Sequence, residues 1–148
     1  MRRVVKPENA PRPRGPYSPA IVADGFVFVA GQAAINPDTD ELESGDIQSE
    51  TRRTLTNIKN ILEASGSSLK EVVRVGVFLA DMGDFQAMNE VYREFFPADP
   101  PARTTVGVNL PGIKVEIDCI ARVAEATKRS SAPRRPARSR KWRGKRRR

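Results

Sequence analysis

Residues 72–79 read Val-Val-Arg-Val-Gly-Val-Phe-Leu, the strongest strand in the sequence, and both flanking segments carry helical periodicity. Val, Ile and aromatic side chains fit a pleated, buried surface, so this stretch must lie in a sheet. Upstream, Asp46 is a plausible N-cap. Behind it Ile47, Thr51, Leu55, Ile58 and Leu62 recur at spacings of three and four, one apolar stripe on a helix. Gly66 stands where a left-handed C-cap residue would end that helix. Downstream, a second helix begins at an Asp81 or Asp84 cap and turns Phe85, Met88, Val91 or Tyr92, and Phe95 inward. Pro97 closes it, and Pro100-Pro101 keep the next connection extended.

The remaining strands are shorter. Gly25-Phe26-Val27-Phe28-Val29-Ala30-Gly31 is an apolar run bounded by glycines, and Asn36-Pro37-Asp38-Thr39-Asp40-Glu41 supplies turn chemistry. We expect a hairpin from the first run into residues 32–36. Two further strands fall around 103–108 and 114–123, separated by Leu110-Pro111-Gly112. In the last, Val115, Ile117, Cys119, Ala121 and Val123 share one face, and Lys114, Glu116, Asp118, Ile120 and Arg122 share the other. Residues 7–20 hold five prolines and read as a loop or extended arm. The order strand–strand–helix–strand–helix–strand–strand argues for an α+β sheet with both helices on one side.

Charge divides the chain sharply. Of 26 Lys and Arg residues, 12 lie between Lys128 and Arg148, where no acidic residue occurs. Residues 1–127 therefore hold 14 basic against 18 acidic residues, a net −4. We read residues 1–126 as one domain and 127–148 as a disordered basic tail with too little apolar surface to offset its ordering entropy. There is no histidine, which removes His-based acid–base catalysis, Ser-His and Cys-His dyads and most zinc sites. Cys119 is the only cysteine, so no intrachain disulfide forms. No run of residues has the apolar length of a signal-peptide core or a membrane span, and the reading is a soluble, cytoplasmic protein without a membrane partner.

Proton chemistry is left to Asp, Glu, Lys, Tyr and Cys, and anion binding to Arg, Lys and backbone amides. Arg103 follows the rigid Pro100-Pro101-Ala102 approach, and its fork can hold a carboxylate through two parallel hydrogen bonds. A solvated charge at a strand end is the plainer reading. Glu116 and Asp118 lie opposite the apolar face of the last strand, where they are either solvated or line a cleft or subunit contact. In Gly15-Pro16-Tyr17-Ser18-Pro19, proline and glycine stiffen the loop that carries Tyr17. The glycine of Ala30-Gly31, at a strand end, lets a ligand approach backbone amides.

Read together, these segments resemble the RidA/YjgF family. The resemblance is carried in order by Ala10-Pro11, Gly15-Pro16-Tyr17-Ser18-Pro19-Ala20 and Phe28-Val29-Ala30-Gly31-Gln32. Asn57 to Gly66 with Ser67-Ser68-Leu69 and Val72-Val73 follow, then Asn89-Glu90-Val91-Tyr92, Pro101-Ala102-Arg103-Thr104 and Val115-Glu116-Ile117. It implies a chorismate-mutase-like α+β fold, a mixed sheet with two helices on one face, in a homotrimer with its sites between subunits. It also implies hydrolysis of 2-imino acids such as 2-iminobutanoate and 2-iminopropanoate to 2-oxo acids and ammonia, with no metal or organic cofactor.

Matched residue by residue, the resemblance makes Arg103 the carboxylate anchor and Glu116 the group that positions and activates water. Tyr17 falls at the site mouth, Gly31 and Thr105 where backbone groups contact ligand, and Asn89 in a motif near the site. The chain departs from the family pattern at Ala30, where many members have serine, and at Thr105, where many have cysteine. Loss of the serine hydroxyl removes one hydrogen bond, roughly 1 kcal/mol. Two other readings use the same residues differently. The basic segment 128–148 with Trp142 would bind nucleic acid without sequence preference, or serve only as a solvated extension. A non-catalytic module would hold small carboxylates on Arg103 without needing Glu116.

Overall fold

The computed structural model describes residues 1–124, so the expected boundary at 126 and the basic tail lie outside the described residues. Six strands form one sheet: β1 (Arg2–Val5), β2 (Ala20–Ala23), β3 (Phe26–Gln32), β4 (Val72–Leu79), β5 (Ala102–Gly107) and β6 (Val115–Arg122). Their spatial order is β1-β2-β3-β6-β4-β5. β4 and β5 run parallel, and every other neighbouring pair is antiparallel. Two helices, α1 (Ile47–Ala64) and α2 (Phe85–Phe95), cover one face.

The sheet is thus mixed, as the resemblance implied, but the N-terminal hairpin lies elsewhere than expected. It joins β2 to β3 through Asp24-Gly25, which both adopt positive φ, 49° and 82°. An Asp-Gly pair with two left-handed residues matches the twist of a tight hairpin. Residues 33–46 form no strand; a single bridge, Ile35 to Leu42, closes the Asn36–Glu41 turn. β1 was not anticipated, because its Arg-Arg-Val-Val sequence is an edge strand with only Val5 buried.

The helices form where their patterns placed them. Asp46 caps α1 by accepting the Ser49 N–H at 2.7 Å, and Gly66 follows the helix at φ 79°. Leu55, Ile58, Ile61 and Leu62 are at most 1% exposed and pack on Val27, Val75, Val77 and Ile117 of the sheet. Truncating one of these to alanine typically costs about 2–5 kcal/mol. Asp81 caps the 3₁₀ turn Met82–Asp84 ahead of α2, and Asp84 makes no side-chain cap bond. Phe96, just beyond α2, is buried more deeply than Phe95.

Along β6 burial alternates as the sequence pattern requires: Val115, Ile117, Cys119 and Ala121 inward, Glu116, Asp118 and Ile120 toward the open face. The entry to β6 is fixed by a buried carboxylate. Glu50 of α1 accepts the Lys114 N–H at 3.2 Å and pairs with its ammonium at 3.4 Å. The open face exposes Phe26, Phe28 and Val106. Among the described residues no helix is long and apolar enough to cross a membrane.

Candidate active site

Three of the residues singled out by sequence meet in one cleft of about 290 Å³, lined by Tyr17, Gly31 and Glu116 together with Arg12, Arg14 and Gln32. The proline-rich loop aims Tyr17. Its N–H donates to the Gly15 carbonyl at 2.8 Å, and its hydroxyl accepts the Arg14 backbone N–H at 3.1 Å. The Arg14 guanidinium in turn donates to the Asp40 carbonyl, which ties the loop to the Asn36–Glu41 turn.

Opposite Tyr17, β3 and β6 slip register between Val29 and Gln32, so Ala30-Gly31 form a β-bulge against the strand that carries Glu116. The Glu116 carboxylate lies directly over the Gly31 Cα, in space that any Cβ would occupy. Burial pushes the Glu116 pKa up, and the neighbouring Asp118 charge pushes it further. Asp118 itself is held by the Gly76 N–H at 3.1 Å. The conflict at Gly31 is with the end of a flexible side chain. Gly31→Ala should therefore swing the Glu116 carboxylate aside while the melting temperature moves by only a few degrees. A crystal structure of the variant beside a thermal melt would check this.

Ala30 does not line the cleft. Its N–H donates to the Pro19 carbonyl at 3.0 Å and its carbonyl accepts from Gln32 Nε2 at 3.1 Å, so it braces the bulge.

Arg103 and Asn89 line a second hollow of about 400 Å³ with Tyr92, Phe96 and the Pro100-Pro101 pair. The Arg103 guanidinium stacks over the Tyr92 ring, 4.6 Å from its centroid, and approaches Phe85 at 5.6 Å. Aromatic faces hold a guanidinium flat without using its donors. Arg103 makes no ion pair among the described residues. Asn89 Oδ1 and Thr105 Oγ1 are buried with no hydrogen-bond partner among the described residues. Burial pushes the Tyr92 hydroxyl up to about 12, against the opposing pull of Arg103, so it stays a neutral O–H. An unneutralised fork leaves its donors to an anion, the neutral Tyr92 O–H beside it is also unpartnered among the described residues, and Asn89 Oδ1 is free to accept an N–H of the same ligand. Tyr92, which the sequence reading used only as core, is part of this hollow. The available signal was Asn89 and Tyr92 at i, i+3 on one helix face.

The two sets do not meet within one chain. Arg103 pairs with Val75, and Val75 with Cys119, so Arg103 leaves the sheet on the helix-covered face. Glu116 pairs with Phe78, and Phe78 with Val106, on the open face.

This architecture is shared with known proteins. A family model described as Endoribonuclease L-PSP matches residues 7–123. The chain belongs to that family, the RidA/YjgF proteins. A RutC family protein of Pyrococcus horikoshii is 53% identical over 123 residues, covering 82% of this chain and 98% of that protein. A Dermatophagoides farinae protein named 2-iminobutanoate/2-iminopropanoate deaminase is 41% identical over 80% of this chain and 94% of its own length. The crystal structure of E. coli TdcF with bound serine superposes with a TM-score of 0.77 at 36% identity, covering 81% of this chain and 98% of TdcF. The RidA/YjgF resemblance read from scattered motifs therefore extends over the whole described fold.

Proposed function

We propose that this chain hydrolyses 2-imino acids to 2-oxo acids and ammonia, in sites completed between copies of itself. The observation that carries this reading is the Arg103 hollow: a stacked, unneutralised guanidinium with the Asn89 amide oxygen left over beside it. That set suits a small carboxylate bearing polar groups. The deaminase name of one relative and the serine held by TdcF point to the same class of ligand. Arg103 and Glu116 leave opposite faces of one chain, so in this reading the Arg103 hollow of one copy faces the Tyr17–Gly31–Glu116 cleft of another. The exposed Phe26, Phe28 and Val106 on the open face provide apolar surface for such an assembly. We take the assembly to be a homotrimer.

The chemistry asks little of the protein. Arg103 docks the substrate carboxylate and so fixes the imine carbon. Glu116 takes a proton from water as the water oxygen bonds to that carbon, and passes the same proton to the imine nitrogen, which leaves the carboxylate free again. The tetrahedral amino alcohol then collapses: Glu116 takes the hydroxyl proton and hands it to the nitrogen as the C=O forms, and the C–N bond breaks to release ammonia. Proximity and a placed base supply most of the acceleration.

A base with a raised pKa gives a definite pH dependence. Activity should fall as pH drops through the Glu116 pKa, above the ordinary glutamate range. Asp118→Asn keeps an oxygen for the Gly76 N–H but removes the like charge. The acid limb of kcat/KM should therefore move to lower pH, as a pH–rate profile would read. The decisive assay generates 2-iminobutanoate in situ with a threonine dehydratase and follows its loss against the uncatalysed rate, with the assembly state measured by sedimentation. No acceleration by the purified assembly would overturn the proposal.

A second reading rests on the 12 basic residues of 128–148. They would hold RNA or DNA through phosphate contacts, with steep salt dependence. Deleting the chain after Ala126 should abolish salt-sensitive retention on RNA and leave imine hydrolysis intact.

A further inference from the structure

We infer that the mouth of the Glu116 cleft selects 2-imino acids that carry a second carboxylate, with Arg12 as the group that receives it. This deepens the hydrolase reading and rests on it. Two arginines line the cleft, and the structure gives them different work. Arg14 is committed: its guanidinium donates to the Asp40 carbonyl and its backbone N–H to Tyr17. Arg12 is not. It makes no ion pair and no side-chain hydrogen bond among the described residues, although its side chain borders the cleft.

Its backbone is nevertheless held. Pro11 and Pro13 flank it, and a residue before proline is confined to extended conformations. Pro11 is buried, so the base of this arm is anchored in the fold. A fixed backbone that presents an unpaired guanidinium to a cleft lowers the ordering cost of using it.

Charge and size narrow the ligand. Residues 1–127 carry a net −4, yet this cleft is lined by two arginines and one acid, Glu116. Glu116 is already assigned to the water. A monocarboxylate has its charge satisfied by Arg103 of the facing copy and leaves Arg12 idle. A dianion would be repelled by Glu116 unless a cation stood beside it, and Arg12 is that cation. A cleft of about 290 Å³ suits a molecule of some ten heavy atoms rather than a polymer. The substrates that fit are four- and five-carbon imino dicarboxylates, 2-iminosuccinate and 2-iminoglutarate. Oxidation of the α-amine of an acidic amino acid is the class of reaction that must supply them.

The test uses the full chain and imines made in situ by flavin-dependent amino acid oxidases from alanine, aspartate and glutamate. Release of 2-oxo acid above the uncatalysed rate gives kcat/KM for each. Arg12→Ala should lower the ratio of dicarboxylate to monocarboxylate kcat/KM by about tenfold, and Arg12→Lys should retain most of it. Arg12 is exposed, so both variants should fold. An unmoved ratio, or an equal loss on all three imines, would overturn the selectivity while leaving the hydrolase reading in place. No acceleration with any imine would remove the hydrolase reading itself.

Discussion

Replacing Arg103 with alanine should lower kcat/KM for 2-iminobutanoate by about 10²–10³-fold and leave the fold intact. Two charge-assisted hydrogen bonds to one carboxylate are lost together, and nothing nearby can replace them: Asn89 and Tyr92 are neutral. The fold tolerates the change because Arg103 neutralises no carboxylate among the described residues. What the protein forfeits is the stacking on Tyr92 and Phe85, worth about 0.5–1 kcal/mol at a partly exposed site. Arg103→Lys should recover only part of the activity, since an ammonium keeps the charge but not the planar fork. Kinetics on both variants, with a thermal melt of each, would check the pair. A loss of less than tenfold in the alanine variant would show that the carboxylate sits elsewhere.

Glu116→Gln should reduce kcat by about 10²–10³-fold while the affinity for an unreactive small carboxylate changes little. The amide keeps the shape that lies over Gly31 but cannot accept the proton of water. Stability should move the other way. Burial and Asp118 hold the Glu116 pKa above its unfolded value. Stability from this group is therefore fully present below the unfolded pKa and lost as pH rises through the folded one. At neutral pH the ionised side chain destabilises the fold, so a neutral isostere should melt at the same temperature or higher. An inactive, equally or more stable variant that still binds carboxylates would separate catalysis from mere binding, which is what a carboxylate-holding module would show in the unmodified protein. Calorimetry and a ligand titration beside the kinetics would read all three.

Local chemistry made most of the fold legible. The α1 stripe, the Asp46 cap, Gly66 and the run 72–79 all acted over short range, and each stands where its pattern placed it. The N-terminal hairpin was misplaced because two turn signals competed. Asn36 to Glu41 is richer in turn residues, but Asp24-Gly25 has the left-handed pair that a two-residue hairpin needs. The short Ala20–Ala23 strand beside it shows little periodicity of its own. β1 was hidden because an edge strand can carry two arginines on a solvated backbone.

For the site, alternation in β6 placed Glu116 off the core face, and the structure agrees. The side of the sheet on which Arg103 emerges was not legible. It depends on the parallel register of β5 against β4, a pairing between segments far apart in sequence. Nor could spacing reveal that Gly31 cradles Glu116, because that contact crosses a bulge.

If the site is shared between copies, as proposed, the opposite facing of Arg103 and Glu116 has a consequence for mixed populations. A chain carrying only the Arg103→Ala change still offers a good Glu116, and a chain carrying only Glu116→Gln still offers a good Arg103. Each protein alone should be inert. Unfolded together in equal amounts and refolded, they should assemble at random, and about a quarter of the shared sites would pair the two sound halves. Two dead proteins would then yield a live one by exchange of partners.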